Sequence, residues 1–329
     1  MLSTYLINLT EKVFAGEEVD LAHAEKLIAW EDNYLEDLFY CAYRIRRQFH
    51  TNQINFCSII NAKSGACHED CKFCAQSILY NTKISRYPLV STEEIVNSAR
   101  LAKEQGAHGF SIVTSGASVS GDKELSVICQ AVEGIKGLGL YPCASLGELN
   151  QNTAQKLKEA GLVKYHHNLE TSAKFFPKIC TTHTYENKIK TLRLAKELGF
   201  QVCSGGIFGL GETNLDRLEL AFTLRQLDVD SIPLNFLNPM QGTPLEKNKP
   251  LSPREILKII AVYRFIFPKK KIVICGGREK NLRDLQSWMY YAGANAAMLG
   301  NYLTTTGRPP EEDLRMINDL NLKASAPAD

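Results

Sequence analysis

A chain of 329 residues with 44% hydrophobic content can bury one large core or two small ones, so length alone does not divide it. The 38 basic and 36 acidic residues leave a net charge of +2, which makes no electrostatic case for nucleic acid or an anionic membrane as partner and points to a small substrate. No apolar run approaches the roughly 18 residues of a membrane span, and Glu11 and Lys12 interrupt the N-terminal stretch before any signal-length segment, so a cytoplasmic location is expected. The ten cysteines would there be kept reduced, which favours ligation or catalysis over a disulfide framework.

Residues 1–50 read as helices, LAHAEKLIAW and DLFYCAYRIRRQF among them, packed ahead of the main fold. From Asn55 onward, short apolar runs alternate with amphipathic segments. Three of these segments, ending at Gly106, Gly161 and Gly199, close on a glycine before a strand-like run. Strand candidates fall near 55–60, 109–114, 140–144, 163–168, 200–205, 231–236, 271–275 and 296–299. About eight βα alternations fit a (β/α)8 barrel better than an open doubly wound sheet. The barrel is expected over 51–304 and a C-terminal helix with a polar tail over 305–329, all in a single domain.

Behind the first strand candidate, SGACHEDCKFCAQS places Cys67, Cys71 and Cys74 on one loop in C-x3-C-x2-C spacing. Three soft thiolates suit an iron–sulfur cluster whose fourth iron stays open, or a zinc ion. Zinc is the weaker reading, because His68 directly follows Cys67 and the two would not face one metal, and no second close cysteine pair completes a ribbon. Four more cysteines, Cys57, Cys143, Cys203 and Cys275, fall within strand candidates, where barrel alternation could turn all four inward. On residue type alone they are equally well small core residues or ligands. Cys41, Cys129 and Cys180 take the default reading of inert buried thiols. Asn168 and Glu170 end the fourth strand, where an isolated Asn or Glu is more often a cap or a turn residue than a ligand. His166 and His167 precede them, and alternation turns one outward.

The cysteine loop, with Phe73 before its last thiol, resembles the signature of the radical S-adenosylmethionine (SAM) enzymes. From about Ala24 to Leu320 the chain resembles the biotin synthase family. The resemblance rests on NAKSGACHEDCKFCAQS, YHHNLETS at 165–172, CSGGIFGLGET at 203–213, NFLNPMQGTPL at 235–245 and AGANAAMLGNYLTTTGRPPEED at 292–313. It implies a (β/α)8 homodimer that inserts sulfur into dethiobiotin, with a 4Fe-4S cluster on Cys67, Cys71 and Cys74, SAM, and a flavodoxin- or ferredoxin-type electron donor. It also implies an auxiliary cluster, usually 2Fe-2S on three cysteines and an arginine, which donates the sulfur. Cys143 and Cys203 match two of those ligands. The third cysteine is here Ser111 and the arginine is Val273, which cannot ligate. Cys275, two residues beyond Val273, faces the same side by alternation, and Cys57 stands where the family carries a serine facing that cavity. The favoured set is therefore Cys57, Cys143, Cys203 and Cys275 around a cluster of altered, four-iron type, with Ser111 as neighbour or possible ligand; the alternative leaves two of these thiols merely buried and puts Ser111 in the lost cysteine's place in a 2Fe-2S site. The resemblance further assigns Asn168 and Asn235 to dethiobiotin, Glu170 to the SAM ribose, Ser115 and Gly116 to its methionine part, and Ile207 to Gly211 to its adenine. No acid/base catalyst is expected. The alternatives are another radical SAM enzyme, of hydrogenase-cofactor maturase or pyrrolysine-pathway type, and a non-catalytic iron–sulfur sensor. The second is disfavoured by the lack of a DNA-binding motif.

Overall fold

The computed structural model describes residues 3–119 and 121–325; the chain ends at 1–2 and 326–329 lie outside the described residues. Three helices lead: α1 (Thr4–Phe14), α2 (Leu21–Ile28) and α3 (Leu35–His50). Asp20 starts α2 by accepting a hydrogen bond from the His23 N–H at 2.8 Å. Their apolar stripes bury Leu6, Leu9, Leu27, Leu38 and Ile45 in the same continuous core as the helices and strands that follow.

The chain then alternates β1 (Gln53–Lys63), α4 (Thr92–Glu104), β2 (Gly109–Thr114), α5 (Gly121–Gly137), β3 (Tyr141–Ser145), α6 (Gln151–Glu159), β4 (Lys164–His166) and α7 (Tyr185–Glu197). It continues through β5 (Gln201–Cys203), β6 (Gly206–Phe208), α8 (Asn214–Gln226), β7 (Ser231–Phe236), α9 (Pro253–Ile266), β8 (Lys271–Ile274), α10 (Arg278–Leu282), α11 (Trp288–Tyr291), β9 (Ala296–Met298), α12 (Pro310–Asp319) and β10 (Lys323–Ala324). Every pairing between these strands is parallel, and β1 pairs with both β2 and β9, which closes the sheet. The result is the (β/α)8 barrel expected from the pattern.

One stave is broken. Both β5 and β6 pair with β7, and the gap between them is Ser204 and Gly205. A Cβ on Gly205 would lie 1.9 Å from the Pro233 carbonyl oxygen, so only glycine lets the two backbones come this close. The helices start where the sequence supplies a cap: Ser91 for α4, Asn150 for α6, and a reciprocal Thr213–Asp216 capping box for α8.

The C-terminal segment does more than trail away. Arg278, fully buried, donates through Nη1 to Asp313 Oδ1 at 3.0 Å and through Nε to the Tyr302 hydroxyl at 3.2 Å, which ties α12 and the 299–305 loop to the barrel. The sequence pattern carried no signal for β10, which adds in parallel outside the start of β1, Gln53 opposite Lys323. Two residues are too few for a periodicity to appear.

Candidate active site

A cavity of about 560 Å³ occupies the barrel interior and reaches the loops at the C-terminal ends of the strands. Its upper wall carries the three-cysteine loop. Gly65 and Ala66 take left-handed backbone (φ +74° and +52°) as the chain leaves β1, and Cys67 pairs back to Gln76 and Ile78 (3.2 and 2.8 Å). The loop is pinned from outside by Lys72 N–H donating to Ile179 O at 2.9 Å. Cys67, Cys71 and Cys74 all line the cavity, whereas His68 is exposed, as its position beside Cys67 implied. The three sulfurs do not fall within 4.8 Å of one another, the spread within which side chains could share one ion. Separated thiols converging on one mouth suit the corners of a cluster and do not suit a single zinc ion.

Among the described residues, the one group that does meet the single-ion criterion is Cys71, Cys180 and His183. Cys180, read as an inert buried thiol, lies instead 3.7 Å from Cys71 Sγ, 3.2 Å from Asp70 Oδ1 and 3.3 Å from His183 Nδ1. His183 Nδ1 is in turn 2.5 Å from Glu69 Oε2. Burial works against a charged His183, but Cys180 and Glu69 outweigh it and raise the imidazole pKa. The missed signal is the C-x2-H spacing of Cys180 and His183, which lies more than a hundred residues from the cysteine loop it meets in space.

Below the loop, the SAM-side candidates gather. Glu170 has left-handed backbone (φ +71°), fixed by its N–H donating to Gly205 O at 3.1 Å and by Ile207 N–H donating to its carbonyl at 2.9 Å. Its Oε2 is buried with no hydrogen-bond partner, and burial raises the carboxyl pKa despite Lys188, His166 and His183 nearby. Ser115 is buried and donates to Gly65 O at 2.7 Å, bracing the cysteine loop; Gly116 (φ +116°) follows it along the cavity wall. Phe73 and Ile207 line the cavity and pack together against a small cluster of Phe175, Phe176 and Leu237. Of the segment from Ile207 to Gly211, only Ile207 reaches the cavity: Phe208 is buried, and the Gly209 N–H is taken by Glu212 Oε1 at 3.0 Å.

Asn168 and Asn235 also face the cavity. Each spends part of its amide on the broken stave: Asn168 Oδ1 accepts from Gly205 N–H at 3.1 Å, and Asn235 Nδ2 donates to Gly206 O at 3.3 Å while its Oδ1 accepts from Gly276 N–H beyond β8 at 3.1 Å. His166 and His167 both line the cavity, so neither points outward as alternation implied. His167 is 8% exposed, with an unpartnered Nε2; β4 ends at His166 and the alternation ends with it.

Deeper still, the strand cysteines share one volume. Cys57, Cys143, Cys203, Cys275, Ser111 and Val273 all line the cavity, with Ser111 in register with Cys143. Burial, then repulsion from Cys143 and Cys203, pushes the Cys57 thiol up to about 12. Burial, then Cys57 and Cys203, raises Cys275 as well. Cys203 alone goes down, to about 7: burial opposes, but His166, 3.4 Å from its sulfur, and Lys164 favour the thiolate. Cys57, Cys143 and Cys275 each feel the charge of another of these thiols, yet no three are close enough for a single ion. That is a fit to a multi-iron cluster, and Val273, apolar in the same wall, takes no part in it.

A parallel barrel with a three-thiol loop at its C-terminal mouth defines a radical SAM enzyme, and residues 62–224 match the Radical SAM superfamily model. Residues 233–323 match the Biotin and Thiamin Synthesis associated domain. The chain is 53% identical over 319 residues to a biotin synthase of Geobacter sulfurreducens, covering 97% of each chain, and 48% identical to that of Heliobacterium modesticaldum, covering 97% and 98%. It belongs to the biotin synthase family. Among solved structures, a methylornithine synthase superposes with a TM-score of 0.85 at 23% identity, covering 96% of this chain and 97% of that one. A maturase of the FeFe-hydrogenase reaches 0.84 at 17%, covering 98% and 76%. At those identities the likeness is one of fold alone.

Proposed function

We propose that this enzyme converts dethiobiotin to biotin in the barrel cavity, with Cys67, Cys71 and Cys74 holding the 4Fe-4S cluster and the interior cysteines holding the sulfur-donating one. When bound, the first cluster with SAM supplies a 5′-deoxyadenosyl radical, and the auxiliary cluster supplies sulfur. The chain's own part is to hold, orient and exclude. Glu170 receives the ribose hydroxyls on its unpartnered Oε2; Ser115 and Gly116 flank the methionine part, and Ile207 and Phe73 form the apolar wall against the adenine. Asn168 and Asn235, from opposite sides of the broken stave, present the amide N–H and C=O groups that a cyclic urea can pair with. Dethiobiotin would then lie between the two clusters, where the reacting carbons need alignment rather than a titrating base.

The auxiliary site is assigned Cys57, Cys143, Cys203 and Cys275, with Ser111 beside Cys143. Four thiols lining one cavity are the observation that carries it, three of them also raised in part by the charge of another, and four thiolates form a complete ligand set for a four-iron cluster. A flavodoxin- or ferredoxin-type donor, a homodimer, a single-domain chain and a cytoplasmic location complete the proposal; no described helix is long and apolar enough to cross a membrane.

The test is an anaerobic assay of the reconstituted protein with dethiobiotin, SAM and a reductant, following 5′-deoxyadenosine and biotin by mass spectrometry. Biotin with about two equivalents of deoxyadenosine is expected. Deoxyadenosine without biotin would overturn the assignment of the interior cluster or of the substrate.

A further inference from the structure

Two lysines enter the cavity at the end opposite the three-cysteine loop. Lys164 opens β4, in register with Cys143, and Lys271 opens β8, in register through Ser231 with Cys203. Both are half-buried and line the cavity, and among the described residues neither ammonium makes a hydrogen bond or an ion pair. Of the negative groups that bear on Lys164, the Cys143, Cys203 and Cys57 sulfurs come first and the Asp230 carboxylate after them, and its Oδ2 already accepts from Val202 N–H at 2.7 Å. His108 brings no charge of the opposite sign; its Nδ1 accepts from Phe56 N–H at 3.3 Å, and burial lowers its pKa. With no carboxylate paired to either ammonium among the described residues, the charges that can answer these two cations are the sulfurs beside them and an anion that enters from this end.

The cavity has residues of partial exposure at this end too: Asn55, His108, Tyr141, Lys164 and Lys271 are half-exposed, and Gln201 is exposed, while all six line the interior. The upper mouth is the one that SAM and dethiobiotin occupy in the proposed function. A small anion bound for the interior cysteines is left with the lower one.

We infer that Lys164 and Lys271 form a binding site for hydrosulfide at the lower mouth of the barrel, from which sulfur lost by the auxiliary cluster is replaced. The inference rests on the reading of that cluster as the sulfur donor. The site binds and delivers the anion; no bond to sulfur is made or broken there. Two ammonium groups in a narrow, low-dielectric opening attract a monovalent anion and raise its local concentration, and the Cys143 and Cys203 thiols lie in register with them.

The experiment is exchange of isotopically labelled sulfide into the reconstituted protein under anaerobic conditions, read as label in acid-labile sulfide, with iron content measured alongside. Cys143→Ala, which retains the radical cluster, gives the background. Label is expected in the auxiliary cluster of the parent, about tenfold slower entry in Lys164→Met and Lys271→Met, and entry within about twofold of the parent in Lys164→Arg and Lys271→Arg. Entry into the Met variants at the parent rate would overturn the inference while leaving the cluster in place. Unchanged iron in Cys143→Ala would overturn the auxiliary-cluster reading itself, and the resupply role with it. Should the Met variants fail to hold the cluster, the cluster-free proteins decide the matter. Hydrosulfide should raise the unfolding midpoint of the parent and not of the Met variants, and no shift in the parent would refute the site.

Discussion

Replacing Glu170 with Gln should make the protein more stable and a worse enzyme, and both effects can be sized from the site. The Glu170 carboxylate is buried, its Oε2 has no partner, and burial holds its pKa above the ordinary glutamate value of 4.5. Leaving a buried acceptor unsatisfied costs about 1–3 kcal/mol, and an amide is cheaper to bury than a carboxylate. Glu170→Gln should therefore gain roughly 1–3 kcal/mol in the cluster-free protein at neutral pH. A group whose folded pKa is raised contributes stability that is present below the unfolded value and lost as pH rises through the folded one. The gap between variant and parent should accordingly open with rising pH above about 4.5 and close below it. In the cluster-loaded protein the same change would remove the charge-assisted hydrogen bond proposed from Glu170 to a ribose hydroxyl, about 1.5–3 kcal/mol, or roughly 10- to 150-fold in SAM affinity. Urea unfolding at pH 4 and pH 7.5 reads the first effect, and equilibrium dialysis of SAM reads the second. A variant no more stable than the parent at pH 7.5, or one binding SAM equally well, would refute the reasoning.

Three further outcomes are expected. Cys57→Ala and Cys275→Ala should each lose the auxiliary cluster, taking iron from about eight to about four per chain as two four-iron clusters become one; unchanged iron and sulfide would return both residues to the core. Asp313→Ala leaves the fully buried Arg278 guanidinium with only Glu279, 3.3 Å from its Nε, as a carboxylate partner and should cost about 2–4 kcal/mol in denaturant unfolding, with a loss under about 1 kcal/mol showing that the pair is dispensable. Gly205→Ala forces a Cβ to within 1.9 Å of Pro233 O and should cost at least about 2 kcal/mol, with dethiobiotin binding weakened because Asn168 is anchored to the same backbone.

The barrel was legible because its signals are local and repeated. Gly106, Gly161 and Gly199 each take the left-handed backbone that ends a helix (φ +92°, +90° and +74°), and a strand follows each of them after a short turn. The cysteine loop was equally plain, since all three thiols lie within one short segment. What the sequence did not disclose depends on distant segments meeting. Cys180 and His183 meet Cys71 because their segment docks on the cysteine loop, with Thr181 and Thr182 donating to Asp70, Lys72 donating to Ile179 O and His183 meeting Glu69. Nothing in the sequence marks out Lys164 and Lys271, because solvated lysines are the common case at strand starts. Only closure of the barrel puts both on the inside.

The same geometry limits how the auxiliary ligand set can change. Along a strand, a ligand moved by one residue points to the helices, whereas one moved by two still faces the cavity. Val273 and Cys275 obey this rule: both line the interior, so exchanging an arginine at 273 for a thiol at 275 slides the donor up the strand and keeps its direction. Across strands the step is different. Ser111 pairs in register with Ile59, and Cys57 with Gly109, so Cys57 sits one inward step lower on the neighbouring strand. Gly109 has no side chain, and a Cβ built there would lie 3.9 Å from Cys143 Sγ. The glycine thus leaves open the space between Cys57 and Cys143 that a cluster bridging them would need. In the proposed ligand set the two departures from the family pattern are therefore coupled to two compensations, one along β8 and one across β1 and β2. Restoring cysteine at position 111 while keeping Cys57 should crowd the cavity rather than improve it, lowering auxiliary iron content below that of the parent; a Ser111→Cys protein with parental iron would argue that Cys57 was never a ligand.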